Sequence, residues 1–403
     1  MYTIIIKEKK VCKSELRFFC EIQGSNDMKK FLVMPDSFKG TMNAVEVCDI
    51  IEQGLQDRFP DAHITKVPLA DGGEGTVDSY LHTFTEGQKV FVKVTGPFGE
   101  KTDGYYGRCG DTAVIEMAAA AGYVMAGRRK DPATATTYGV GELIKAAVTA
   151  GCREIILGLG GSCTNDGGAG MAAALGTRFY DKDDELFVPT GNTLCRIKHI
   201  DTAVSDRLLD GISITAMCDV KNMLYGRNGA AYVFAPQKGA DAEMVRELDY
   251  NLRCFAETVK TSLNIDISTI KCGGAAGGMG AGTLVFLHAT LKSGIDVILD
   301  VLDFETILPE YNAVFTGEGQ FDMQSLNGKV VIGISRRAAK FKVPVITIAG
   351  SVRDVGVDIG RLGISAVYQA ASSEYDSFEE LSRNCRNDLY RAAVRAADDP
   401  HIL

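Results

Sequence analysis

The stretch FLVMPDSFKGTMNAVEVCDIIEQGLQDRFPDAHITKVPLADGGEGTVDSYLHTF, residues 31–84, decides the fold. Residues 31–35 form a short apolar run of strand length. Over 43–59, Val47, Ile50, Ile51 and Leu55 recur at helical spacing before Pro60 stops the pattern. Residues 64–69 read as a second strand, and 76–84 as a helix beginning just after a glycine-rich turn. Strand, helix, strand, helix predicts a parallel sheet.

Downstream the pattern changes. Residues 90–94, 103–108 and 112–117 are short runs separated by Gly-Pro and Gly-Asp turns, which predicts an antiparallel or mixed sheet. A helix over 139–150, a strand over 154–159, a glycine-rich turn with a helix over 166–175, strands near 212–218 and 231–234, and a long helix over 241–263 follow. Regular alternation then returns: a strand at 313–316, a helix at 329–340, strands at 343–349 and 366–369, and a terminal helix at 378–396.

The expected architecture is therefore α/β. A split flavodoxin-like (Rossmann-like) parallel-sheet domain, residues 28–84 plus 291–403, is interrupted by an inserted α/β domain with a mixed sheet, residues 85–290. Two strands before the insertion and three after it allow the order 2-1-3-4-5, whose switch point lies between the first and third strands. Residues 1–27 lack sustained periodicity and read as an extension ahead of a second start at Met28.

Composition bounds the function. The chain has 403 residues, 46% apolar and 24% charged, enough for two or three folding units with real cores. The formal charge is −9, from 43 basic and 52 acidic residues. That balance repels nucleic acid and anionic lipid as a whole, and excludes a general DNA-binding role only, because a local anion pocket can still exist. The 11 cysteines are scattered without any Cys-x-x-Cys, which points to reduced thiols rather than a disulfide framework or zinc site. No stretch approaches a membrane span and the N-terminus lacks a signal-type apolar region, so a cytoplasmic location is expected.

The 44 glycines cluster where an open parallel sheet places its ligands, at the carboxyl ends of strands. Three such turns are Asp36-Ser37-Phe38-Lys39-Gly40, Asp71-Gly72-Gly73-Glu74-Gly75-Thr76 and Thr316-Gly317-Glu318-Gly319-Gln320-Phe321-Asp322. A fourth, from Gly158 through Gly160, Gly161, Ser162, Thr164, Asn165 and Asp166 to Gly168, joins a strand of the inserted domain to a helix and suits a phosphate. No Walker sequence and no strict G-x-G-x-x-G is present, so neither a P-loop ATPase nor a standard dinucleotide fold is indicated.

Acids recur in these turns. Asp71, Glu74, Asp166, Asp219, Glu318 and Asp322 are candidates for Mg²⁺, which takes one or two carboxylates and completes its shell with water and phosphate; helix capping by Asp36 or Asp166 is the structural alternative. Lys39, Lys238 and Lys329 are candidates for holding a carboxylate or phosphate. The five histidines, at 63, 82, 199, 288 and 401, show no metal spacing.

With these residues on the page, the sequence resembles the type 1 glycerate kinase family from about Met28 to near the C-terminus. Ten ordered motifs carry the match: PDSFKG (35–40), PLADGGEGT (68–76), VTGPFG (94–99), IEMAAAAG (115–122), TTYGVGELI (136–144), GLGGSCTNDGGAGM (158–171), CDVKN (218–222), PQKGA (236–240), GGAAGGMG (273–280) and TGEGQFDMQSLNGK (316–329). Cys163, Met223, Tyr225, Arg227 and Gln320 depart from the common pattern.

The resemblance implies ATP-dependent, Mg²⁺-assisted phosphorylation of D-glycerate, to 2-phosphoglycerate or, not excluded, 3-phosphoglycerate. For that reaction, the chemistry of the residues themselves gives the following expected roles. Gly160, Gly161, Ser162, Thr164 and Asn165 hold ATP phosphates; Asp166, Glu318 and Asp322 bind Mg²⁺. Asp36, Ser37, Lys39 and Lys238 hold substrate, Asp71 orients the glycerate hydroxyl with Glu74 second, and Lys39 also neutralises the transferring group. A homo-oligomer is left open. The rival classes are a dinucleotide-dependent oxidoreductase and a noncatalytic two-lobed metabolite-binding protein.

Overall fold

A computed structural model describes residues 28–70, 72–83, 86–323, 325–327, 330–353, 355–371 and 375–402. The expectations for residues 1–27, Asp71 and Lys329 lie outside the described residues.

β1 (Lys30–Pro35) and β2 (His63–Lys66) pair in parallel, joined by the helix Ala44–Arg58. Asn43 opens that helix: its side chain accepts the Glu46 amide while the Glu46 carboxylate accepts the Asn43 amide. This reciprocal cap satisfies two N–H groups that a helix start leaves unpaired.

The chain then enters a second sheet through β3 (Gln88–Thr95), β4 (Lys101–Cys109), β5 (Thr112–Glu116) and β6 (Glu154–Gly158). A small antiparallel sheet follows, built from β7 (Arg178–Tyr180), β8 (Leu186–Phe187) and β9 (His199–Asp201). β10 (Ser213–Met217) and β11 (Thr290–Lys292) complete the second sheet in the order β11-β10-β6-β5-β4-β3. It is antiparallel among β3, β4 and β5 and parallel from β5 to β11.

β12 (Ala313–Phe321), β13 (Val345–Val352) and β14 (Ala366–Gln369) return to the first sheet. Its order is β14-β13-β12-β1-β2, all parallel, the 2-1-3-4-5 arrangement expected from the sequence. Alternate residues of a strand point to opposite faces. Phe31, Val33, Phe315 and Ile346 accordingly pack with Val47, Ile51 and Leu389 of the helices Ala44–Arg58 and Phe378–Ala397. Leu32, Met34 and Val314 pack on the other face with Leu299 and Ile334 of the helices Gly294–Val301 and Val330–Ala338.

Four expectations differ from the structure. Residues 231–234 belong to a helix, Ala230–Phe234, rather than a strand. A four-residue apolar run has no period of its own, and here Ala231 packs beside Leu248 and Leu252 of the helix Ala242–Leu263 while Tyr232 and Val233 are exposed. The helix Thr76–Thr83 was expected with the first sheet but lies against the second, with Val77 packed beside Val114, Ile156 and Met217. β11 carries the second sheet to Lys292, just past the expected end of the insertion. Finally, Cys195 and Cys254 form a disulfide, against the expectation of reduced thiols throughout; Cys48, Cys152, Cys163, Cys218, Cys272 and Cys385 are free.

Candidate active site

The carboxyl ends of the first sheet open into a cavity of about 1050 Å³. At its centre the Asp36 amide donates to the Gly317 carbonyl at 2.8 Å, so the turns after β1 and β12 run side by side. Asp36 Oδ1 accepts the Ser37 amide at 2.6 Å. Phe38 and Met42 then exchange backbone hydrogen bonds of 2.9 and 3.0 Å, and Gly40 adopts a φ of 85°, a left-handed value that a side chain would resist. This tight loop presents Lys39 at the exposed rim of the cavity.

β12 supplies Glu318, only 7% exposed, and the chain beyond it supplies Asp322. Gln320, one of the five positions that depart from the family pattern, donates to Asp322 Oδ2. The Asp322 amide donates to the Ser325 hydroxyl oxygen at 3.1 Å. Arg353, just past β13, lines the same cavity with its backbone anchored on Phe321. From the second sheet, Asp219 reaches the cavity two residues past β10, accepting the Gly294 amide at 3.1 Å.

The structure thus brings together Asp36, Ser37, Lys39, Glu318 and Asp322 of the expected site residues. Sequence reasoning missed Arg353, Tyr375 and Asp388, which also line the cavity. Arg353 follows a predicted strand and was legible as a charge in a carboxyl-end turn, whereas Tyr375 and Asp388 flank or lie within the last helix, where polar side chains ordinarily face water.

The glycine-rich turn after β6 is placed elsewhere. Its Gly160 amide donates to the Gly72 carbonyl at 2.9 Å, and a Cβ on Gly160 would lie 2.5 Å from Gly73 Cα. The two glycine turns therefore meet backbone to backbone, and Glu74 lies exposed on one of them, outside the cavity lining. The Cys163 amide is likewise spent, on Ala121. Thr164, Asn165 and Asp166 are fully buried, so the part of this turn open to a ligand reduces to Gly160, Gly161 and Ser162. The Asn165 amide and the Thr164 hydroxyl have no partner, a costly state for buried polar atoms.

Asp166 does not join Glu318 and Asp322. Its carboxylate accepts the Thr137 amide and hydroxyl at 2.8 Å each, the Gly168 amide at 3.2 Å and the Gly170 amide at 3.3 Å. Burial raises its pKa against those donors. The carboxylate organises the turn through these four donors, although the N-cap of the helix Ala169–Leu175 itself is Gly168. Among the described residues, no three His, Cys, Asp or Glu side chains converge as a metal cage.

Lys238 is 3% exposed and gives its ammonium to Ser162 Oγ and the Thr164 carbonyl, each at 2.7 Å. Burial lowers its pKa to about 8. It pins the turn from within rather than reaching the cavity. The glycine run at 273–280 packs against the same turn: a Cβ on Gly277 would lie 2.1 Å from the Thr164 carbonyl.

An α/β fold with a cavity of mixed charge at the carboxyl ends of its parallel sheet has the arrangement in which such a sheet places its ligands. The chain belongs to the glycerate kinase family, whose profile matches residues 31–399. It is 44% identical to the glycerate 2-kinase of Escherichia coli (strain K12), over 91% of this chain and 97% of that protein. It is 43% identical to the glycerate kinase of Bacillus subtilis (strain 168), over 88% and 94%. A crystal structure described as a glycerate kinase 2 from Salmonella typhimurium LT2 superposes with a TM-score of 0.82 at 41% identity, covering 92% of this chain and 98% of that one. The protein is an enzyme of the kinase class. No helix among its described residues is long and apolar enough to cross a membrane.

Proposed function

We propose that this chain is a type 1 glycerate kinase that transfers the γ-phosphoryl group of ATP, as its Mg²⁺ complex, to D-glycerate to give 2-phosphoglycerate. The observation that carries the reading is the cavity itself. At about 1050 Å³ it is far larger than glycerate needs, and Lys39 and Arg353 face Asp36, Asp219, Glu318 and Asp322 around it.

The carboxylates of Glu318 and Asp322 offer the hard oxygen ligands Mg²⁺ takes, with substrate phosphates and water completing its shell. Bound there, the ion would neutralise the phosphate chain. Lys39 would add a point charge beside the transferring group, and Asp36 and Ser37 would orient glycerate. The glycerate hydroxyl oxygen attacks the γ-phosphorus, the bond to the β-bridging oxygen breaks, and the hydroxyl proton passes to Asp71, with Glu74 on the same turn. Gly160, Gly161 and Ser162 close that side of the acceptor site.

The test is a coupled assay with D-glycerate, ATP and Mg²⁺, run with enolase alone or with phosphoglycerate mutase plus enolase. Phosphoenolpyruvate with enolase alone supports the 2-kinase; its appearance only with mutase makes the enzyme a 3-kinase. Silence in both arms overturns the glycerate reading.

A further inference from the structure

One end of the large cavity is left unused by the glycerate and metal chemistry. It runs between the loop after β1 and the start of the helix Phe378–Ala397, lined by Phe38, Ala370, Tyr375, Phe378, Leu381 and Asp388. Phe378 is 61% exposed, a large apolar side chain in the exposed first turn of a helix whose inner face, with Leu389, Ala392 and Ala393, packs on the first sheet. The tip of its ring stands 3.6 Å from where a Cβ on Gly40 would lie. Asp388 is 6% exposed and accepts the Tyr375 hydroxyl. That carboxylate pushes the Tyr375 phenol up to about 12.

These surfaces have a definite chemical preference. Apolar and aromatic walls with one buried acceptor suit a flat heteroaromatic ring that carries an amino group at its edge. Phosphate is disfavoured beside Asp388; of the two cations in the described lining, Arg353 follows β13 and Lys39 stands in the loop after β1 that flanks this end. The cavity crosses the ends of β1, β12, β13 and β14, neighbours spaced about 4.8 Å apart. A base, sugar and phosphate chain can therefore lie along one continuous trough.

We propose that this end is the nucleobase subsite, with the base stacked on Phe378 and Leu381 and its exocyclic amino group donating to the Asp388 carboxylate. The assignment rests on the nucleotide reading above. It makes the C-terminal helix the part of the chain that selects the nucleotide, while the strand-end turns handle its phosphates.

The chain contains no tryptophan, so Phe378→Trp installs a single fluorescent reporter. Its emission is titrated with Mg-ADP and with Mg-tripolyphosphate, and the affinities of the native protein and of Phe378→Ala for both are measured by calorimetry. ADP is expected to quench the reporter and tripolyphosphate to leave it unchanged. Phe378→Ala is expected to weaken ADP about 10-fold to 100-fold, the range for loss of one base–aromatic stack, with tripolyphosphate unaffected. Equal ADP affinity in the native protein and Phe378→Ala, with a silent reporter, overturns the subsite while leaving the nucleotide reading intact. Failure of ADP to bind the native protein overturns both. Inosine diphosphate, which lacks the amino group, is expected to bind more weakly than ADP; equal binding removes the Asp388 contact.

Discussion

Glu116, the last residue of β5, accepts the amide of Val77 at 2.6 Å. The Gly75 backbone also bonds this carboxylate, as does the Tyr105 hydroxyl at 3.3 Å. A 1% exposed carboxylate of the second sheet thus holds the turn that leaves the first sheet after β2. Burial raises its pKa, and the backbone donors work against that rise. Glu116→Ala leaves these donors without an acceptor and is expected to cost roughly 2–4 kcal/mol of stability. It should also lower kcat, because the turn carrying Glu74 loses its anchor. Glu116→Gln keeps an acceptor oxygen and should recover most of both. Thermal melts with steady-state kinetics on the two variants check this, and equal behaviour of Ala and Gln would mean the contact does not set the turn.

Glu318 and Asp166 should separate cleanly. Glu318→Gln is expected to raise the Mg²⁺ concentration needed for half-maximal activity by about tenfold or more, with little change in melting temperature. Asp166→Asn places an amide among four donors and should cost roughly 1–3 kcal/mol of stability, with an unchanged Mg²⁺ requirement in the protein that remains folded. A Mg²⁺ titration and a melting curve for each variant decide the point. A raised requirement in Asp166→Asn would restore it as a ligand.

Lys238 carries a pH signature. Its pKa falls from 10.5 to about 8 on folding because burial disfavours the ammonium. Between those values the unfolded chain binds the extra proton, so this group makes stability rise with pH from about 8 to about 10.5. Below that window both states are protonated and the contribution is flat. Measured as the difference from Lys238→Met, the native protein should gain stability across the window. A difference that is level or falls would show that the ammonium is not disfavoured by the fold.

The contact of Gly160 with Gly73 leaves no room for a side chain, since a Cβ would lie 2.5 Å from Gly73 Cα. Gly160→Ala is expected to cost about 1–3 kcal/mol through overpacking and to depress activity beyond what the lost stability explains. Gly75→Ala has open space around it but a φ of 92°, so its cost comes from backbone strain alone. Comparing kcat of the two variants below their melting temperatures distinguishes a displaced turn from a strained one.

Much of this was legible in the residues themselves. The helical spacing of Val47, Ile51 and Leu55 and the apolar runs of β1, β12 and β13 marked a parallel sheet buried on both faces, and the two-then-three distribution of strands around the insertion allowed the observed order. The carboxyl-end rule placed Asp36, Lys39, Glu318 and Asp322 on one edge before any coordinates. The turn containing Asp166 was harder, since capping and metal binding use the same residue type, and only the four donors around it separate them. Phe378 and Asp388 gave no signal, because a helix position shows that it faces a cavity only once the neighbouring loop is in place. The Cys195–Cys254 pair lies 59 residues apart in sequence, a separation that carries no geometric information.

The pairing of Phe31 with Ala313 also bears on the order in which the parts of the protein can fold during synthesis. β1 and β2 emerge early in synthesis, yet the strand that flanks β1 on its other side arrives only after the whole second sheet has been translated. Until then β1 has an open edge and an apolar surface with no cover. A growing chain therefore completes its second unit before its first, and the N-terminal strands are the segment most in need of chaperone protection on the ribosome.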